Sequence, residues 1–145
     1  MSTERCFYCE KCDREKSVGR LFDALKSVAE DNAPKCAECG SPQRLRLKFN
    51  FGLGADSHQC FVVKSYYETQ EWKDQEKCKV EFYPFLVVLR ILGGKDDGKL
   101  AAWLPYWHLH YVSNPPEVKY GQWAPFMDIE VYTRLQERAR KDGYI

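Results

Sequence analysis

The segment Arg44-Leu45-Arg46-Leu47-Lys48-Phe49-Asn50-Phe51 alternates polar and apolar residues without a break. Successive side chains of a strand point to opposite faces, so this run predicts a β-strand with one buried and one wet face. The wet face carries Arg44, Arg46 and Lys48 in a row. Further strands are predicted at 60–67, at 79–92 and at 99–112, each rich in β-branched and aromatic residues. The turn chemistry of Gly93-Gly94-Lys95-Asp96-Asp97-Gly98 joins the last two into a long hairpin, with breaks expected at Pro84 and Pro105. Residues 52–57 read as a loop, and the charged stretch 68–79 as a loop or a short helix.

Two segments switch to the helical period. Leu21, Phe22, Leu25, Val28 and Ala29 fall on one stripe, and the helix should end before Asn32-Ala33-Pro34, where proline forbids continuation. Its apolar face is expected to dock on the C-terminal domain. Near the end of the chain Asp128 suits an N-cap, and Val131, Tyr132, Leu135 and Ala139 share a face. Arg138, Arg140 and Lys141 complement the C-terminal end of the dipole there, and Gly143 suits the stop.

The cysteines add chemistry to this outline. Cys9-Glu10-Lys11-Cys12 and Cys36-Ala37-Glu38-Cys39 are two C-x-x-C turns. Each turn places two sulfurs within reach of one tetrahedral ion, and two turns close its coordination shell. Gly40 follows the second pair, where glycine tolerates the positive φ that such turns favour. Cys6 could replace Cys12 in the first turn, as Cys6/Cys9. We assign Cys9/Cys12, which leaves Phe7-Tyr8 as a short strand and Cys6 as a spare thiol. The expected cofactor is one structural zinc ion on Cys9, Cys12, Cys36 and Cys39, with iron as the alternative.

The run Phe7-Tyr8-Cys9-Glu10-Lys11-Cys12, then Cys36-Ala37-Glu38-Cys39-Gly40-Ser41 and Arg44-Leu45, resembles the FmdB-type zinc ribbons, a family described as regulatory. The likeness covers about the first third of the chain. It departs from the family pattern at Asp13, where glycine is usual, at Ala37, where proline is usual, and in a longer spacer. The resemblance implies the same four ligands and a regulatory role.

Composition narrows the function classes. The chain of 145 residues is 44% hydrophobic and 14% aromatic, enough for a core. Its formal net charge is +1, so a nucleic-acid reading must rest on a local patch and not on a basic excess. The first residues lack an apolar signal-peptide core, and no apolar run is long enough for a membrane span. Seven cysteines, four of them in C-x-x-C pairs, favour metal thiolates over disulfides and a cytoplasmic location.

Two other constellations carry candidate chemistry. His108 and His110 would point to the same face of a strand, where they could share a metal or a catalytic site. His58 with Cys60 forms a second such pair, and Cys78 is unassigned. Trp103, Tyr106, Trp107, Tyr111 and Trp123 admit two readings: core and edge packing in the β domain, which we favour, or a stacking or partner-binding surface. No nucleophile motif or phosphate-binding loop is present.

These readings combine into an α+β protein. Residues 1–52 form a four-cysteine zinc ribbon with an inserted helix, and residues 53–145 form an antiparallel β-rich domain closed by a C-terminal helix. The expected function is non-enzymatic: the zinc supports a surface that recognises nucleic acid or a partner protein. Arg44, Arg46, Lys48, Trp107, His108 and His110 are the candidate contacts. A protein adaptor built on the aromatics around 103–111, or an enzyme at His108/His110, are the alternatives.

Overall fold

The computed structural model describes residues 3–50, 57–73, 79–120 and 129–145. Among these, nine strands and two helices form an α+β fold in which every defined strand pairing is antiparallel. The chain divides into two compact units, 1–65 with 88–102, and 66–87 with 103–145.

The first unit begins with β1 (Thr3–Cys9) and β2 (Arg14–Ser17), a hairpin that the cysteine turn closes. Helix α1 (Leu21–Ala29) follows, then β3 (Arg44–Asn50) and β4 (Ser57–Tyr67). The strands lie in the order β2-β1-β3-β4. The alternation expected of β3 is observed: Leu45 and Leu47 are buried, Arg44 is exposed, and Arg46 and Lys48 are half-buried. Phe7 and Cys9 on β1, and Cys60 and Val62 on β4, are buried as well. They share the parity of Leu45 and Leu47 across the strand registers, so the centre of one sheet face is apolar, with charged residues such as Arg5 and Lys16 at its margins.

Helix α1 belongs to this same unit and buries Phe22, Ala24 and Leu25. The Lys64 ammonium, on the apolar-face parity of β4, reaches Asp31 just past the helix end at 2.9 Å. The stop itself uses Asp31 at φ 54°, with the Asn32 N–H donating to the Ser27 carbonyl at 2.8 Å. Aspartate enters the left-handed region more readily than most residues, which explains a glycine-free end. The unit is completed by Val88–Leu92 of β6 (Lys79–Leu92) and by β7 (Leu100–Trp103) as far as Ala102. Their connection is the expected glycine turn, with Gly93, Gly94 and Gly98 all at positive φ.

The second unit pairs the first part of β6 with β5 (Gln70–Lys73) and β8 (Tyr106–His110), and β8 with β9 (Glu117–Tyr120). Phe82 to Leu89 of β6 are buried without interruption, the mark of a strand covered on both faces. Pro84 does not break β6, whereas the chain does leave strand geometry before Pro105. Strand β5 lies where a loop or short helix was expected. Its four residues carry too little pattern of their own and acquire strand geometry by pairing with β6.

Helix α2 (Ile129–Lys141) buries Val131, Leu135 and Ala139 of the predicted stripe, while its fourth member, Tyr132, is half-buried. Its guanidinium at Arg134 donates to both oxygens of Glu68, at 2.8 Å each for the shortest contacts, and the Tyr66 hydroxyl donates to Asp142 at 2.6 Å. The helix ends at Gly143, φ 85°, with the Tyr144 N–H on the Ala139 carbonyl at 3.0 Å. The loop expected at 52–57 apart from Ser57, Cys78, Trp123 and the Asp128 cap lie outside the described residues. No helix among the described residues is long and apolar enough to cross a membrane.

Leu135 is fully buried at the centre of the α2 stripe. Leu135→Ala is expected to lower unfolding free energy by about 2–5 kcal/mol, read from the denaturant midpoint at unchanged m-value.

Candidate metal centre

The two cysteine turns have the same backbone construction. In the first, the Asp13 N–H donates to the Cys9 carbonyl at 2.9 Å; in the second, the Gly40 N–H donates to the Cys36 carbonyl at 2.9 Å. Both closing residues take positive φ, 56° at Asp13 and 72° at Gly40. Asp13 is the position at which the FmdB-type pattern usually has glycine. An aspartate there is strained, but its carboxylate accepts a hydrogen bond from the Tyr8 hydroxyl, which holds the turn in place. A second backbone bond, from the Cys36 N–H to the Ser41 carbonyl at 2.8 Å, and a bridge between Lys35 and Pro42 complete the second turn.

The ligating atoms of Cys9, Cys12, Cys36 and Cys39 all lie within 4.8 Å of one another. The Sγ atoms of Cys9 and Cys39 are 3.6 Å apart. A tetrahedron with metal–sulfur bonds of about 2.3 Å has sulfur–sulfur edges of about 3.8 Å, whereas a disulfide needs about 2.05 Å. The cluster therefore has the dimensions of a metal site. Cys9 and Cys36 are buried, Cys12 is half-buried and Cys39 is exposed, so the site sits at the surface with its back in the core.

The thiols do not share one proton affinity. The Ser41 hydroxyl and amide hold Cys39 down to about 6, and the amides of Cys39 and Glu38 lower Cys36. Cys12 is pushed up to about 12, first by its hydrogen bond with Cys39 and then by burial. Thiolates crowded this closely repel one another, and a divalent cation at their centre relieves that repulsion. Four cysteine thiolates could hold a metal ion such as zinc. Ion pairs around the turns, Arg14 with Glu38 at 2.6 Å and Arg44 with Glu10 at 3.3 Å, are exposed and add little holding power.

Cys6 lies on β1 opposite Arg46 and Ser17, half-buried and outside the thiol cluster. Arg44, Arg46 and Lys48 share the wet face of β3. Arg46 pairs with Glu15 and lies 4.6 Å from the centroid of the Tyr8 ring, while Arg44 stands 5.8 Å from that of Phe61. Lys48 is in register with Glu4 of β1. From the sequence, Phe61 is placed only within the strand at 60–67, and Tyr8 only within a short strand and the FmdB-like cysteine run. Both fall on the wet-face parity, but their meeting depends on strand registers that no local pattern reveals.

The aromatic and histidine candidates lie in the second unit. Trp107 is 4% exposed, edge-on to Phe85 at 5.2 Å, and serves the core. Tyr106 and Leu109 are buried too, in line with the core reading of these aromatics and against the alternative of a continuous surface around 103–111. Tyr111 is exposed, with its hydroxyl on Glu81 and Lys79 over its ring. His108 and His110 do share a face, with ring centroids 6.0 Å apart, and His108 packs edge-on against Phe82. Among the described residues, the four cysteines are the group of three or more metal-ligating side chains that converges; the histidine pair gains no third ligand.

No protein-family model, no curated protein and no solved structure matches the chain. The likeness to FmdB-type ribbons therefore rests on the two cysteine turns. What the structure establishes is a cluster of four thiols of metal-binding geometry on an antiparallel α+β fold.

Burial, His110 and Lys119 together hold the His108 imidazole below its ordinary value. Between that lowered value and the unfolded value of about 6.5 the unfolded chain binds more protons, so stability is full above about pH 6.5 and is lost as pH falls through the folded value. His108→Gln should flatten this acid limb in thermal unfolding scans between about pH 7 and pH 5. A limb of unchanged steepness would show that other groups cause it.

Proposed function

We propose that this is a non-catalytic zinc-ribbon protein in which one structural zinc ion braces a basic sheet face for nucleic-acid recognition. The observation that carries the reading is the convergence of the four thiols at the shared end of β1 and β3. Cys9 closes β1, and β3 starts just after the second cysteine turn. A metal on the cluster thus ties together the two strands whose wet face holds Arg44, Arg46 and Lys48.

Zinc suits this role because four thiolates leave no open coordination position. No bound water is activated and no substrate is polarised, so the ion contributes folding free energy, of order 10 kcal/mol in isolated zinc modules. Nucleic acid suits the basic row because cations at alternate strand positions stand about 6.8 Å apart and can track a phosphate backbone. The resemblance to FmdB-type ribbons supports the same ligand assignment.

Elemental analysis of the purified chain should give one zinc per molecule; iron in its place would overturn the zinc assignment. Cys36→Ser should weaken metal binding by more than about 100-fold, beyond what loss of an outer-shell partner causes. Removing the metal with a chelator should melt β1, β2 and the cysteine turns, seen as a loss of amide-exchange protection confined to the first unit. Retained protection there would mean that the ion is dispensable for the fold.

Binding to a mixed-sequence oligonucleotide should fall with salt at a log–log slope of about −2 to −3, for three phosphate contacts. Affinity that is absent, or indifferent to salt, would remove the nucleic-acid reading.

A further inference from the structure

The wet face of β1, β3 and β4 has two features beyond the Tyr8–Asp13 bond that holds the first cysteine turn. The first is a stacked pair of aromatic rings. Tyr8 from β1 and Phe61 from β4 reach toward each other across β3, with centroids 6.0 Å apart and planes inclined at 25°. Arg46 lies over one ring and Arg44 beside the other, so planar cations flank the pair. Both rings are half-buried on the side opposite the apolar face of Leu45, Leu47, Cys60 and Val62. The core does not account for them.

The second feature is an open cavity of about 330 Å³ beside Arg46, lined also by Cys6, Glu15, Lys48 and Gln59. It exists because the residues facing Arg46 across β1 and β2 are small, Cys6 and then Ser17. Its volume lies at the lower end of small-ligand sites and is ample for a phosphate with its sugar. Arg46 and Lys48 supply positive charge at its wall. Glu15 pairs with Arg46 from an exposed position, and such a pair in water yields readily to a phosphate.

Resting on the nucleic-acid reading above, we propose that the ligand is single-stranded nucleic acid, bound without strict sequence preference. A base stacks on the Tyr8–Phe61 pair and the adjoining phosphate enters the Arg46–Lys48 cavity. The combination decides the class of ligand. A duplex offers phosphates but keeps its bases stacked on one another, so an aromatic pair on a sheet face gains nothing from it. An acidic peptide offers charge without a planar π-face. Single strands offer both, and aromatic side chains beside a cationic track are the usual means of holding them.

The test uses the full zinc-loaded chain and three labelled probes: a single strand of about 12 nucleotides, the duplex of the same sequence, and a polyglutamate peptide. The single strand is expected to bind at least about 10-fold more tightly than the duplex. Phe61→Leu keeps an apolar side chain and removes the π-face. It should weaken single-strand binding by about 5- to 100-fold while leaving duplex binding and zinc content unchanged. Lys48→Gln should weaken both nucleic acids and flatten the single-strand salt slope by about 0.7. Equal single-strand and duplex affinities, or a Phe61→Leu variant that binds normally, would overturn the single-strand assignment and leave nucleic-acid binding by β3 standing. Polyglutamate binding as tight as the oligonucleotides, or no binding of either nucleic acid, would overturn both.

Discussion

Four cysteine sulfurs confined within 4.8 Å of one another form the constraint on which the first unit depends. Thiolates at such spacing repel, and the Tyr8–Asp13 hydrogen bond and the pairing of β1 with its neighbours act against that repulsion. The surrounding ion pairs are exposed, and the backbone bonds that close each turn are local. A cation at the centre would convert that repulsion into attraction. The strands on either side then inherit their placement from the two turns: β1 runs into the first, and β3 runs out of the second.

The same constraint separates the faces of the sheet. Leu45 and Leu47 alternate with Arg44, Arg46 and Lys48, so fixing the ends of β1 and β3 also fixes which residues face water. The buried side is an ordinary apolar layer. The other side accumulates features that burial does not demand: a stacked ring pair, guanidinium groups against the rings, and a cavity next to a small residue. A closed four-thiolate site would leave no open coordination position for chemistry, which is why the proposed recognition role is assigned to the adjoining surface.

The second unit answers to different forces. Burial of β6 on both faces and the α2 stripe of Val131, Leu135 and Ala139 supply its core, and the Arg134–Glu68 and Tyr66–Asp142 contacts fasten the helix. The aromatics of β8 turn inward here. Read along the chain, Trp107 and Tyr106 favoured a core without excluding an exposed platform, because a short aromatic strand has no polar alternation to reveal its outer face. Pairing with β6 on one side and β9 on the other decides the matter.

Strong local signals were legible in the residues alone. The spacing of Cys9, Cys12, Cys36 and Cys39, the alternation from Arg44 onward, the helical stripes and the glycine turn at 93–98 each depend on a few neighbouring residues and a fixed geometric period. Strands β2, β5 and β9 were not legible, since four residues carry too little periodicity and become strands only when a partner offers hydrogen bonds. Nor could a glycine rule foresee Asp13 at φ 56°, which Tyr8 holds from the adjacent strand. The candidate metal ligands and the basic row follow directly from the order of the residues, because both are set by spacing within one turn or one strand. That Tyr8 and Phe61 meet across β3, and that Trp107 is hidden, emerges only on folding, because both follow from strand register, a long-range property that no local pattern encodes.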